Sequence, residues 1–166
     1  MSGFATRPVV PADHAAIRTV LSDAFDSPGE ADLVEALRAG GDVVLELAAH
    51  KDERLVGHVL FSRLQCRQAD AAFPAVALAP LAVARPWQRR GVGRTLVEAA
   101  HARLRETGEA LSVVLGDPAY YGRFSYAHGR AAGFESDYQC EALQALAWGD
   151  APAEGRLVYP HAFAGL

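Results

Sequence analysis

The stretch Leu78-Ala79-Pro80-Leu81-Ala82-Val83-Ala84-Arg85-Pro86-Trp87-Gln88-Arg89-Arg90-Gly91-Val92-Gly93-Arg94 carries most of the fold information in this chain. Residues 76–84 form a nearly unbroken apolar run, the pattern of a strand covered on both faces. A short loop with two glycines and three arginines follows. It leads into residues 93–107, where Leu96, Val97, Ala100 and Leu104 line one helical face, and Gly108 ends the helix. A strand that runs through a glycine turn into a helix presents free backbone N–H groups to an anion, and the helix dipole adds to the attraction. Gly91 and Gly93 let a phosphate approach the backbone, and Arg89, Arg90 and Arg94 add positive charge.

Two nucleotide motifs are excluded here. A dinucleotide fingerprint needs a third glycine where Leu96 stands, and a P-loop needs Gly-Lys-Ser/Thr. Pro80 adds a second clue. A proline inside a strand lacks a donor and predicts a bulge or a break in pairing. The freed backbone of Leu81, Ala82 and Val83 would then be open to a long amide-containing ligand with a pyrophosphate at one end. Pantetheine in coenzyme A is such a ligand.

The rest of the chain predicts the framework. Residues 4–10 read as a strand, and Asp13 as the cap of a helix with Ile17, Val20, Leu21 and Phe25 inward. Ser27-Pro28-Gly29-Glu30 reads as a second helix start, with Ser27 as cap, Pro28 first in the helix and Glu30 closing a capping box. Residues 43–50 and 55–65 predict a hairpin, and 66–75 a loop. Residues 111–115 read as a strand, and Asp117-Pro118 opens a short helix running to Phe124. Further strands are expected within 131–138, 141–148 and 157–159. The order β-α-α-β-β-β-α-β-α-β-β predicts an α/β fold, with a mixed, mostly antiparallel central sheet and helices on both faces.

Composition sets the outer limits. A chain of 166 residues is expected to make a single domain over 1–166. The net charge of −4 argues against a general nucleic-acid binder built on Trp87, Arg89, Arg90 and Arg94, because phosphate binding needs a wider basic footprint. Cys66 and Cys140 make no metal motif and no disulfide framework, so no metal is expected. The start of the chain lacks a charged segment followed by an apolar one, and the run over 76–84 is too short to span a bilayer. A cytoplasmic protein that does not bind membranes is the expectation.

With these residues in view, the chain resembles the GNAT superfamily of N-acetyltransferases. The motif is an apolar strand followed by Q/R-x-x-G-x-G/A, here Leu81-Ala82-Val83 and then Gln88-Arg89-Arg90-Gly91-Val92-Gly93. A second match is Leu115-Gly116-Asp117-Pro118-Ala119-Tyr120-Tyr121-Gly122-Arg123-Phe124-Ser125-Tyr126. It is similar to the family's F-Y-x-x-x-G-F helix, with Ser125 in place of Gly and Tyr126 in place of Phe.

The resemblance implies acetyl-CoA as the acyl donor and an amine as the acceptor, either a small molecule or a peptide, with transfer by direct attack. It implies that Leu81, Ala82 and Val83 hold the pantetheine and the thioester oxygen, with Val83 as oxyanion donor. Gln88, Arg89, Arg90, Gly91, Val92, Gly93 and Arg94 would hold the pyrophosphate, and Tyr121 would serve the leaving thiolate, either as a hydrogen-bond donor or with a lowered pKa. The general base is left open among Glu46, His58, Asp117, His128, Glu141 and a water chain. A covalent route through Cys66 or Cys140 lacks a histidine partner pattern. The aromatics Tyr120, Tyr121, Phe124, Tyr126, Phe134 and Tyr138 divide between core and acceptor pocket in a way the sequence does not reveal. A non-catalytic acyl-CoA-binding module is the alternative, and a homodimer is compatible with either reading.

Overall fold

The computed structural model describes residues 3–165. The chain runs β1 (Ala5–Pro8), α1 (His14–Phe25), α2 (Gly29–Ala39), β2 (Val43–Lys51), β3 (Arg54–Arg67), β4 (Ala72–Val83) and α3 (Val92–Glu106). It continues with β5 (Leu111–Leu115), α4 (Pro118–Tyr121), α5 (His128–Ala131), β6 (Phe134–Glu135), β7 (Leu143–Ala147) and β8 (Gly155–Val158). One open sheet takes the order β1-β2-β3-β4-β5-β7, and β8 pairs with both β3 and β6. Among the described residues, only β4–β5 and β6–β8 are parallel pairs. Among the described residues no helix is long and apolar enough to cross a membrane.

Strand β3 explains how both faces are covered. Val59 and Phe61 belong to the core under α3, with Leu96, Val97, Ala100 and Leu104. Leu60, one residue out of phase, packs with Ile17, Leu21 and Leu37 of α1 and α2. The two-residue period sends alternate side chains to opposite layers. Gly57 brings α3 close, since a Cβ there would stand 2.8 Å from Val92 Cγ1 and 3.0 Å from Leu96 Cδ1.

The structure corrects several local expectations. The segment 66–75 is not a loop. β3 and β4 continue through it, with Cys66 opposite Phe73 and Arg67 opposite Ala72, leaving only a short turn. Buried Cys66 and Ala75 pin that register, whereas Arg67, Gln68, Asp70 and Pro74 disguise it in the sequence. Residues 131–138 hold only the two-residue β6, because α5 occupies their start. Asp13 does not cap α1: its carboxylate accepts from Arg7 at 2.7 and 2.8 Å and from the Val10 N–H. The capping box also fails. Ser27 Oγ accepts from Gly29 N–H at 3.1 Å, but Pro28 precedes the helix and Glu30 Oε1 is buried without a hydrogen-bond partner.

Ser125 has φ +74° at the end of the turn after α4. This left-handed geometry suits the glycine that the family pattern places there. Ser125→Gly is expected to stabilise the fold by about 1 kcal/mol, read as a raised urea midpoint. Tyr126 does not disturb its surroundings. Its ring is buried, and its hydroxyl lies 2.7 Å from Ser112 Oγ and 3.0 Å from His101 Nε2.

Candidate active site in a split between two strands

Strands β4 and β5 pair at Val76–Ser112, Ala77–Val113 and Leu78–Val114, and then separate. The cause is on the other edge of β4. Its register with β3 jumps from Leu78–Phe61 to Leu81–Val59, so Ala79 and Pro80 together oppose a single residue. This is a β-bulge at the proline, as the sequence predicts, and bulging strands bend away from a neighbour. The Ala79–Pro80 peptide bond is cis.

Beyond the bulge, Ala84 N–H donates to Val56 O at 2.8 Å, which fixes the direction of alternate groups. Val83 and Leu81 therefore turn their N–H and C=O groups away from β3, into the gap. The Gln88 side chain confirms this for Val83, donating from Nε2 to Val83 O at 3.0 Å. Gln88 thus ties the loop back to the strand with its side chain.

The gap opens into a cavity of about 340 Å³. Ala79, Pro80 and Leu81 line one wall, Val113, Val114 and Leu115 the other, and Tyr121 stands among them. Val83 and Ala82 are not among the lining residues. Of the two backbone positions that face the gap, Leu81 is the one at the cavity. Tyr121 is set by close packing on Gly116, where a Cβ would stand 2.5 Å from Tyr121 Cε2. Its ring meets those of Tyr120 and Tyr126 edge-on, at 5.0 and 6.0 Å. Burial, with a smaller contribution from Tyr120, pushes its phenol up to about 12. Of the two alternatives for Tyr121, this disfavours the lowered pKa and leaves the hydrogen-bond donor. Against a thiol near 8.5, full transfer of its proton is uphill by about 5 kcal/mol. Tyr121 remains a neutral hydrogen-bond donor.

The end of the gap leads to the start of α3. Gly91 holds φ +87°, with open space where a side chain would begin, and Arg89 also has positive φ. The first-turn N–H groups of Val92, Gly93 and Arg94 lack intrahelical acceptors. Arg89, Arg90 and Arg94 are exposed, with Arg90 stacked 5.4 Å over Trp87 and Arg94 3.5 Å from Glu98. Gly93 has a second reason to be glycine. A Cβ would lie 2.5 Å from the Tyr120 hydroxyl, which stands over the helix start. Sequence reading carried a role only to Tyr121 of this tyrosine pair. A backbone edge, an open glycine turn and free N–H groups in a line fit a pantetheine diphosphate.

None of the proposed bases lines the cavity. Glu46 and His58 are buried together, with His58 Nε2 2.6 Å from Glu46 Oε2 and Arg38 bonding both carboxylate oxygens. Burial alone would raise the Glu46 carboxyl, but bonds from His58 and Arg38 outweigh it and hold it at about 2. Burial lowers His58, so the imidazole is neutral and donates from Nε2. Asp117 caps α4 through Ala119 N–H at 2.9 Å, His128 Nδ1 bonds Leu143 O, and Glu141 is exposed outside the cavity lining. Cys66 is buried and its thiol pushed up by burial, which makes it a poor nucleophile.

These buried groups set an acid limit on stability. Burial, with Arg105 nearby, lowers His101 to about 4, so the unfolded chain binds its proton first between pH ~6.5 and ~4. Stability is expected to fall by on the order of 3 kcal/mol over that window. A second loss follows from pH ~4 to ~2, as Glu46 and Asp13, both near 2, are protonated. Urea unfolding at stepped pH checks both windows. A flat midpoint from pH 7 to 4 contradicts the first.

This strand split beside a glycine-turn helix defines an acyltransferase site of the GNAT type, and the comparisons agree. The family model described as an acetyltransferase (GNAT) domain matches residues 5–129. The chain belongs to the GNAT superfamily of N-acetyltransferases. It is 39% identical over 118 residues, 70% of either chain, to the Escherichia coli K12 protein named uncharacterized N-acetyltransferase YhbS. The crystal structure of E. coli YhbS in complex with CoA superposes with a TM-score of 0.89 at 31% identity, covering 97% of this chain and 92% of that one. A GNAT acetyltransferase from Brucella melitensis in complex with acetyl-CoA gives 0.82 at 30% identity, covering 98% and 99%.

Proposed function

We propose that this enzyme moves an acetyl group from acetyl-CoA to a primary amine by direct attack, with no acyl-enzyme intermediate. The observation that carries the reading is the split between β4 and β5, whose cavity is lined by Tyr121 and the gap-facing Leu81. On this reading the donor enters along the β4 edge. Val83 holds the pantetheine through its gap-facing N–H, whereas the backbone groups of Ala82 face β3 and are not available to it. The first turn of α3 with Arg89, Arg90, Gly91, Val92, Gly93 and Arg94 holds the diphosphate. Gln88 positions that loop from Val83.

The chemistry follows from charge. An ammonium has no lone pair, so the amine first loses a proton. Its nitrogen then forms the C–N bond while the carbonyl oxygen gains negative charge. The Leu81 N–H, at the cavity, is the donor placed for that oxygen, and such donors are worth about 3 kcal/mol. As the C–S bond breaks, the electron pair goes to sulfur. Tyr121 donates a hydrogen bond to the thiolate, and the nitrogen's second proton leaves to solvent. The absence of a cysteine or serine nucleophile among the residues lining the cavity supports direct transfer.

The reading is tested by following release of the CoA thiol over a panel of amines. Acetyl-CoA-dependent, amine-dependent thiol release is the expected result. Tight CoA binding with no turnover on any amine favours the acyl-CoA-binding module instead.

A further inference from the structure

The cavity has a second wall that the donor does not need. Phe25, Glu30, Leu33, Tyr138, Tyr159 and Phe163 line it. Tyr159 meets Tyr138 at 5.0 Å and Phe163 at 5.3 Å, both edge-on. Tyr138, Tyr159 and Phe163 lie beyond the 5–129 span of the family match, and Phe25, Glu30 and Leu33 lie within it, so the wall joins two distant parts of the chain. Glu30 is its single charged side chain, and Glu30 Oε1 is buried with no hydrogen-bond partner. A carboxylate oxygen only accepts, and a buried acceptor left unbonded is costly. A donor would satisfy that oxygen, and a cation suits both the carboxylate and the aromatic side chains of the same wall.

We infer that Glu30 recognises the ammonium group of the acceptor, and that the acceptor is a primary amine with a single charge on an apolar or aromatic body. This rests on the acetyltransferase reading and narrows it. An amino acid would bring its own carboxylate beside Glu30, with no basic side chain in the lining to receive it. A polyamine would place its further ammonium groups against rings and aliphatic side chains with no second carboxylate. Glu30 acts as a specificity residue that holds the ammonium by charge and by accepting its hydrogen bond. It sets where the nitrogen waits, in the cavity that Tyr121 also lines, before the proton is lost.

Two measurements test this. In steady-state assays with phenethylamine, Glu30→Gln is expected to lower kcat/KM about 30-fold, mostly through KM. KM for acetyl-CoA stays within about twofold, and Glu30→Asp recovers part of the loss. In calorimetry, benzyltrimethylammonium, which cannot be acetylated, binds the parent protein and binds Glu30→Gln at least ~10-fold more weakly. Equal binding of that cation by parent and variant overturns the inference, as does a parent enzyme that prefers amino acids to phenethylamine. Glu30-dependent cation binding in a protein that acetylates no amine upholds the cation site and sinks the enzyme reading instead.

Discussion

Tyr121→Phe is expected to lower kcat about 100-fold while KM for acetyl-CoA stays within about twofold. The ring will stay in place, because its position comes from packing on Gly116 and edge contacts with Tyr120 and Tyr126, none of which uses the hydroxyl. What disappears is one donor at the sulfur. Because the phenol sits at about 12, the effect tracks hydrogen bonding and not proton transfer. The kcat–pH profile of the parent should therefore show no break near neutrality from Tyr121. A variant with unchanged kcat removes Tyr121 from the mechanism. An equal loss of acetyl-CoA binding makes it a binding residue instead.

Glu46→Gln is expected to cost about 3 kcal/mol of stability with kcat little changed. The change leaves the Arg38 guanidinium half-buried without its countercharge and weakens the acceptor for His58. Breaking a buried pair from one side is expensive because the surviving charge has lost its solvent and its partner. Urea unfolding reads the cost. A double-mutant cycle with Arg38→Met should return a coupling of at least ~1 kcal/mol. The pair also fastens α2, which carries Glu30, to the sheet through β2. If Glu46 or His58 were instead the base, Glu46→Gln would abolish turnover while leaving a folded protein of near-parental stability.

The two changes separate the site from its support. Tyr121 lines the cavity, whereas Glu46 lies in a buried ion cluster outside the lining. A sequence reading cannot separate them, since a Glu on a strand and a Tyr on a short helix are both plausible catalytic residues. Burial and partners do. His58, Asp117 and His128 are also committed to bonds within the fold.

Residues 78–94 by themselves determined the bulged strand and glycine turn on which the proposed donor side rests. Their signals are local: a proline that cannot pair, an apolar run that must be buried, and glycines that open a helix start. Each acts through its own backbone, so neighbours in sequence suffice to read it. The proposed acceptor side was decided only by tertiary structure. Glu30 follows Ser27 at the spacing of a capping box, and nothing local distinguishes a carboxylate that turns back to its helix from one that faces a cavity. Phe25, Glu30, Tyr138, Tyr159 and Phe163 become one wall only when the ends of the chain pack together across the sheet. Whether a polar side chain is bonded, solvated or left waiting for a ligand depends on that packing, and packing is a property of the whole fold.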